Sequence, residues 1–385
     1  MSRMTAVQAP IIPIVGELIR STPGTISLGQ GMVSWGPPPQ ALVAAHAAVE
    51  RPDSHRYGPV EGQPQLLEAL ARKLETDNGL DLAGSRVLVT AGSNMAFLSV
   101  VQAISDIGDE IILPAPFYFN HEMAVRIAGC VPVVVPTDAA YQLDPDAIAG
   151  AVTARTRAVV TVSPNNPSGA VYPEAALRAV NALCARHGLL HVSDEAYEYF
   201  TYGAAAHFSP GSLPGAAAHT ISLYSLSKAY GFAGWRIGYM VIPERLNEAV
   251  YKVQDTVLIC PPLVAQAAAA GALEAGRHWT AGFVDGLAAV RREVLQQFAR
   301  VADVCGVPTS GGAFYCLPRL HTRLDAMTLM ERLVREHRVA VIAGTTFGLT
   351  GGCYLRVSYG ALDAATVHEG MERLVGGIRA LVQPT

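Results

Sequence analysis

Lysine is almost missing from this chain. Three lysines, Lys73, Lys228 and Lys252, stand against 25 arginines in 385 residues, so a lysine in an unusual setting is easy to pick out. Charge of either sign is sparse: 16% of residues are charged, half are hydrophobic and the mean hydropathy is +0.27. That balance excludes a disordered chain and allows a large core. Excess positive charge is also missing. A net charge of −4 and a pI near 6.3 leave no basic footprint, which argues against nucleic acid as a partner. No apolar run reaches the roughly 18–20 residues a spanning helix needs. The most apolar stretch, 258–273, is interrupted by Pro261, Pro262 and Gln266, so no membrane partner is expected. The N-terminus lacks an apolar run followed by a small-residue cleavage site. The six cysteines (130, 184, 260, 305, 316 and 353) form no C-x-x-C and have no histidine at ligand spacing. They read as reduced thiols of a cytoplasmic protein with no metal site.

The length suggests two domains or one large α/β unit. From about residue 60 to 245, short β-rich runs alternate with helix-length segments. Helices are expected over 63–76 and 93–104. Strands are expected over 87–90, 110–113, 131–135, 158–162, 189–193, 221–224 and 237–242. Strands this apolar, separated by helices, indicate a mostly parallel sheet covered on both faces. Beyond about 280 the pattern changes. A long helix over 281–301 precedes strands at 313–316, 340–343 and 354–358, with helices over 327–336 and 364–381: a smaller α+β unit. The first 35 residues, with Pro10, Pro13 and Pro23, cannot form a core alone and are expected along the small unit or across a partner subunit. The expected division is a large domain of residues 36–279 and a small domain of residues 1–35 with 280–385.

Ligands in open α/β sheets sit at the carboxyl ends of strands, and four strand exits carry polar residues. Thr90-Ala-Gly-Ser-Asn94 opens a helix, where free N–H groups and the positive helix end suit a phosphate; an ordinary N-cap is the plainer alternative. Ser163-Pro-Asn-Asn-Pro-Ser-Gly169 is a turn fixed by Pro and Gly that leaves Asn166 free to present its two-faced amide; a tight turn with no ligand fits equally well. At Val192-Ser-Asp-Glu-Ala-Tyr197, Asp194 ends an apolar strand, where an unpaired carboxylate is costly. It wants a cationic partner, either a ligand or an arginine of the core. The fourth exit, residues 224–238, holds Lys228 among small and apolar residues, whereas Lys73 and Lys252 fall on amphipathic helical patterns and are expected in solvent. A desolvated lysine near another cation loses its proton more readily, as attack on a carbonyl carbon requires. Ser225, Ser227 and Arg236 offer hydroxyls and a planar fork for phosphate.

Taken in order, these motifs resemble the class I/II aminotransferases of the pyridoxal-phosphate fold type I superfamily, the group of aspartate-, aromatic- and kynurenine-type transaminases. The resemblance covers nearly the whole chain: Tyr57-Gly, Gly92-Ser-Asn94, Asn166-Pro-Ser-Gly169, Asp194-Glu-Ala-Tyr197, Ser225-x-Ser-Lys228 with Arg236, and Leu355-Arg-Val-Ser358. It implies an α/β fold with a mostly parallel central sheet in the large domain, a smaller α+β domain, and pyridoxal 5'-phosphate as cofactor. Lys228 would bond the cofactor's aldehyde and then move the substrate Cα proton. Asp194 would pair with the pyridine nitrogen, making the ring an electron sink. Tyr197 and Asn166 would hydrogen-bond the phenolic oxygen, and Tyr118 would stack on the ring. The N–H groups of Ser93 and Asn94, with Ser225, Ser227 and Arg236, would hold the phosphate. Tyr57 would reach the phosphate of the neighbouring subunit, which implies a homodimer with shared active sites. Arg356 would clamp the substrate α-carboxylate, helped by Asn166 and the N–H of Gly31; its alternative is a surface ion pair.

The implied reaction is amino-group transfer from an α-amino acid to a 2-oxo acid by a ping-pong mechanism. The runner-up is a C–S lyase or other carbon–heteroatom lyase, since the same first steps serve elimination. A ligand sensor fused to DNA-binding helices is disfavoured: the residues before Tyr57 hold four arginines, no lysine and no helix-turn-helix pattern. Specificity does not transfer from the resemblance, because Gly31-Met-Val-Ser-Trp-Gly36 departs from the family pattern. No second arginine is picked out for a distal carboxylate, with Arg20, Arg51, Arg56 and Arg277 as unmotivated candidates. The borders read from the sequence, Ile11-Ile12, Trp35, Tyr118 and Phe347, are apolar or aromatic and favour a neutral or aromatic donor.

Overall fold

The computed structural model describes residues 2–382. Numbered in chain order, β1 (Ile26–Ser27) lies in the N-terminal segment. Then β2 (Ser85–Thr90), β3 (Glu110–Ala115), β4 (Val131–Pro136), β5 (Thr156–Val162), β6 (Leu190–Asp194), β7 (Thr220–Ser225) and β8 (Gly238–Pro243) form a seven-stranded sheet. Its order is β2–β8–β7–β6–β5–β3–β4. Only β8 runs antiparallel to its neighbours. β3, β6, β7 and β8 are buried at every residue, as β-rich runs covered on both faces should be. β4, with Pro132 and Pro136 and several exposed positions, is an edge, where missing N–H donors are tolerated. The helices Pro64–Asn78, Ser93–Ile104, Phe119–Ile127 and Glu174–His187 lie between the strands in sequence. Registers align the exits: Val162 faces Asp194 across β5 and β6, and Asp194 faces Leu223 across β6 and β7.

A second, smaller sheet follows. β9 (Cys305–Gly306), β10 (Tyr315–Cys316), β11 (Arg319–Leu320) and β14 (Cys353–Ser358) pair antiparallel in the order β10–β14–β11–β9. β13 (Ile342–Ala343) joins β14, while β12 (Val339–Ala340) pairs in parallel with β1. The single strand expected over 340–343 is therefore two short ones serving different partners. The N-terminal segment lies along this layer, as one of its two expected placements had it. Ile11 and Val15 of the Ile11–Ser21 helix share a core with Leu329, Leu333 and Leu374, and Ser358 N–H donates to Leu28 O at 2.7 Å.

The helix expected over 281–301 runs from Leu263 to Ala299, broken by non-helical Gly276 at φ 62. Its upstream extension was hidden by a sequence too rich in alanine to show a face. No described helix is long and apolar enough to cross a membrane. Lys73 departs from expectation: it is buried, whereas Lys252 is solvated and paired with Glu248.

Candidate active site

The exits of β2, β5, β6 and β7 converge with β14 and residues 30–32 on one cavity of about 210 Å³. At the β2 exit, Gly92 adopts φ +81 and opens the Ser93–Ile104 helix without a side-chain cap. Its first-turn N–H groups are thus left for an anion. A Cβ on Gly92 would lie 2.5 Å from Arg236 Nη2, so only glycine lets the guanidinium come this close. Arg236 donates to Ala233 O at 2.9 Å and Ala91 O at 3.3 Å. At the β7 exit, Ser225 Oγ accepts from the Ser227 N–H at 3.1 Å and caps the short helix that carries Lys228.

At the β5 exit, Gly169 (φ +72) brings the loop against the small sheet; a Cβ there would sit 2.5 Å from Tyr315 O. That close approach joins Asn166 to residues of both layers. Asn166 Nδ2 donates to Tyr197 Oη at 3.1 Å, and Asn166 Oδ1 accepts from Arg356 Nη1 at 2.9 Å. Tyr197 Oη lies 2.8 Å from Tyr315 Oη. Burial first, then the neighbouring Tyr315, pushes the Tyr197 hydroxyl well above its ordinary value; burial raises Tyr315 to about 12.

Asp194 ends β6, buried. Its Oδ1 accepts from the Ala196 N–H at 3.1 Å, and its Oδ2 lies 3.0 Å from His121 Nε2. The partner is thus a histidine, where the sequence reading weighed an arginine of the core. The His121 ring packs tilted against Phe97 with centroids 4.1 Å apart, and its Nδ1 has no partner. Lys228 Nζ donates to Gly31 O at 2.5 Å. Burial, followed by the charges of Arg356 and Arg236, pulls the Lys228 pKa down to about 8, with Asp194 opposing.

Arg356 is 2% exposed. Nη2 donates to Gly29 O at 2.7 Å, Nε has no partner, and the guanidinium lies 4.9 Å from the Tyr315 ring and 5.1 Å from Phe347. Among the described residues no carboxylate pairs with it, so the surface ion-pair alternative fails. A buried, carboxylate-free guanidinium is costly unless something anionic reaches it. Tyr118 also lines the cavity, accepting from Asn120 Nδ2 at 2.9 Å and meeting His121 edge-on.

Lys228, Asp194, Tyr197, Ser93, Asn94, Tyr118, Asn166, Ser225, Ser227, Arg236, Gly31 and Arg356 all line this cavity. Tyr57 does not: it stands 82% exposed on the surface of the single chain. Of the apolar borders expected, Ile12 and Tyr118 line the cavity. Ile11 is buried in the small layer's core, Phe347 lies beneath Arg356, and Trp35 stacks on Phe283 at 4.4 Å. Arg20, Arg51, Arg56 and Arg277 are absent from the lining. The sequence reading missed His121 and Tyr315. Only the position of His121, three residues after Tyr118, could have drawn attention to it. A larger hollow of about 860 Å³, lined by Arg319, His321 and Tyr354, holds none of the residues above.

Comparison with known proteins agrees with this arrangement. The family model "Aminotransferase class I and II" matches residues 23–374. An aromatic aminotransferase of Arabidopsis thaliana is 33% identical over 99% of this chain and 97% of its own. An aspartate aminotransferase of Pyrococcus abyssi is 34% identical over 91% and 90%. Among solved structures, the aromatic aminotransferase of Pyrococcus horikoshii superposes with a TM-score of 0.86 at 34% identity, covering 95% of this chain and 99% of that one. A structure described as Pyrococcus protein-A1 reaches 0.92 at 32% identity over 98% of each. With the cavity, the lysine that lines it and the whole-chain match in agreement, this chain belongs to the class I and II aminotransferases and is a pyridoxal-phosphate-dependent transaminase of fold type I.

Proposed function

We propose that the cavity holds pyridoxal 5'-phosphate and that the enzyme moves the amino group of a neutral or aromatic α-amino acid to a 2-oxo acid. One observation carries the reading: a half-buried amine, a buried carboxylate and a buried guanidinium with an unpartnered Nε all open into the same space. The donor set fits the cofactor. Uncapped N–H groups at Ser93 and Asn94, the hydroxyls of Ser225 and Ser227 and the fork of Arg236 suit a phosphate dianion. Asp194 suits a protonated ring nitrogen, Asn166 and Tyr197 a phenolic oxygen, and Tyr118 a ring face.

When bound, the cofactor supplies an aldehyde for the substrate amine and a ring that withdraws electrons from the substrate Cα. Lys228, depressed to about 8, holds a free amine in an appreciable fraction near neutral pH and can take up and return the Cα proton. Asp194, held by His121 and the Ala196 N–H, would offer its carboxylate to the ring nitrogen. Arg356, with Asn166 and Gly31, fixes the carboxylate and so sets which bond at Cα faces Lys228.

Among the described lining residues the cations are Lys228, Arg236 and Arg356, and each has a part in this reading. Ile12, Met32, Phe119 and Gln30 are left for the substrate side chain, which supports a donor without a second carboxylate. Several relatives are named for aspartate and others for aromatic amino acids; the lining favours the second group. Tyr57, exposed in one chain, would complete the phosphate site of a partner subunit in a homodimer. The proposed domains are 36–279 and 1–35 with 280–385; the shared core of Ile11, Val15 and Leu28 with the C-terminal helices supports this, although the Leu263–Ala299 helix runs through the boundary. The six free thiols support a cytoplasmic location.

The test is a donor panel. The loaded enzyme is mixed with single amino acids, and loss of its visible band is followed. Phenylalanine, tyrosine, leucine and methionine should discharge the band faster than aspartate and glutamate at equal concentration. Aspartate as the fastest donor would overturn the substrate class. Pyruvate and ammonia from a cysteine conjugate without an acceptor would instead favour the lyase.

A further inference from the structure

The turn after β6 has two sides. Asp194, Ala196 and Tyr197 face the cavity, while Glu195 and Glu198 enter a buried polar chamber on the other side. There Lys73, on the Pro64–Asn78 helix, donates to both oxygens of Glu198 at 2.6 and 2.5 Å and to Asn78 Oδ1 at 2.7 Å. The Lys73 and Glu198 side chains are only 7% and 8% exposed. The ammonium also lies 4.7 Å from the Tyr224 ring, 5.3 Å from Tyr199 and 5.9 Å from Tyr239. Asn78 Nδ2 bonds Glu198 and Ser209, and Ser209 and His207 donate to Glu195 Oε2. Two of these contacts lie directly behind site segments: Glu198 follows Tyr197, and Tyr224 precedes Ser225 on the strand that launches Lys228.

We propose that Lys73 and Glu198 are a positioning pair for the transamination. One ammonium holds the back of the Asp194–Tyr197 turn against the end of β7, fixing the Tyr197 hydroxyl relative to Lys228. A buried ion pair adds little net stability compared with a well-packed apolar pair of the same volume, so stability alone is a weak reason for placing one here. Its geometry has a consequence for the site. If Lys73 loses its charge, the buried Glu198 carboxylate is left without a counter-charge, keeps only the Asn78 amide as donor, and must shift. Tyr197, one residue away, is held at its hydroxyl by contacts of 3.1 and 2.8 Å that tolerate little displacement. Arg356, on β14, does not touch the chamber, so substrate capture should change much less than turnover.

This inference rests on the cofactor occupying the cavity, and Lys228→Ala tests that separately through loss of the visible band. The pair is tested with Lys73→Met and with the charge-free double variant Lys73→Met/Glu198→Gln. The double variant avoids an unpaired buried charge and keeps the test available should the single variant fail to fold. For each, kcat per bound cofactor, KM for the amino donor, the pH midpoint of the visible band and the melting temperature of the cofactor-free protein are measured. The expected result is kcat per bound cofactor lower by about ten-fold or more, KM within about three-fold and a midpoint displaced by about half a pH unit or more. A lower melting temperature with kcat per bound cofactor within two-fold of the parent and an unmoved midpoint would show the pair to be structural only and overturn the proposal.

Discussion

Two effects act on the Lys228 amine in the same direction: burial removes water from the ammonium, and Arg356 and Arg236 repel it. The Asp194 carboxylate opposes them, and the balance is a pKa of about 8, below the ordinary 10.5. The unfolded chain therefore keeps a proton that the folded site releases between pH 8 and 10.5, and in that window this group makes the cofactor-free fold more stable as pH rises. Below pH 8 the buried ammonium is a standing cost. Attack on an aldehyde needs the free amine, so the rate at which cofactor-free protein captures pyridoxal phosphate should rise with pH around a midpoint near 8 and then level off. Stopped-flow absorbance checks this; a rate still climbing steeply at pH 10 would place the capturing amine elsewhere. At Arg356 geometry matters as much as charge. A planar guanidinium fits between the rings of Tyr315 and Phe347 and can offer two parallel N–H groups to a carboxylate, whereas an ammonium is a point charge. Arg356→Lys should lower kcat/KM by roughly a hundred-fold, mainly through KM, with the visible band intact. A normal KM would move the carboxylate site.

At the scale of elements, the phosphate end is built by a helix that begins at a glycine and an arginine that needs that glycine's missing side chain. Gly92→Ala would introduce a residue at φ +81 and press a methyl group against Arg236, costing about 1 kcal/mol or more in strain. Because the disturbance falls at the phosphate end, affinity for pyridoxal phosphate should drop more than affinity for pyridoxal. Parallel equilibrium titrations measure both, and equal losses would mean the effect is general destabilisation. Such elements were legible because their signals are local. Apolar β-rich runs ended at polar exits, so the expected strand 158–162 became Thr156–Val162 and the expected helix 93–104 is Ser93–Ile104. What stayed hidden depends on distant partners. Lys73 sits on an amphipathic pattern that reads as solvated, and the carboxylate that buries it comes from a turn 125 residues on. His121 belongs to no strand exit and acquires its place only when the Phe119–Ile127 helix packs against the Ser93–Ile104 helix and β4. Residues 340–343 read as one strand because Ala340-Val-Ile-Ala343 is an unbroken apolar run, yet β1 and β14 each claim half. The local residues of the site were thus readable, while the contacts that hold them in place were not.

On the scale of the whole molecule, the feature left over is Tyr57, which is 82% exposed and outside the cavity. Exposed Leu42, Val43 and Val49 lie on one nearby helix. A large aromatic ring in water at a motif that resembles a phosphate-binding turn makes sense if a second copy covers it. If Tyr57 serves the partner's site, a protein carrying Tyr57→Ala and a protein carrying Lys228→Ala are damaged in different halves of each composite site. In a mixed dimer, one site receives both lesions. The other draws Lys228 from the Tyr57→Ala chain and Tyr57 from the Lys228→Ala chain and is intact. Co-expressing the two with different tags and isolating the mixed species should therefore restore about half the parent's activity per dimer, far above either homodimer at limiting cofactor. Two self-contained sites predict something else: the mixed dimer would show only the average of the two homodimers, and Tyr57 would belong to the surface alone.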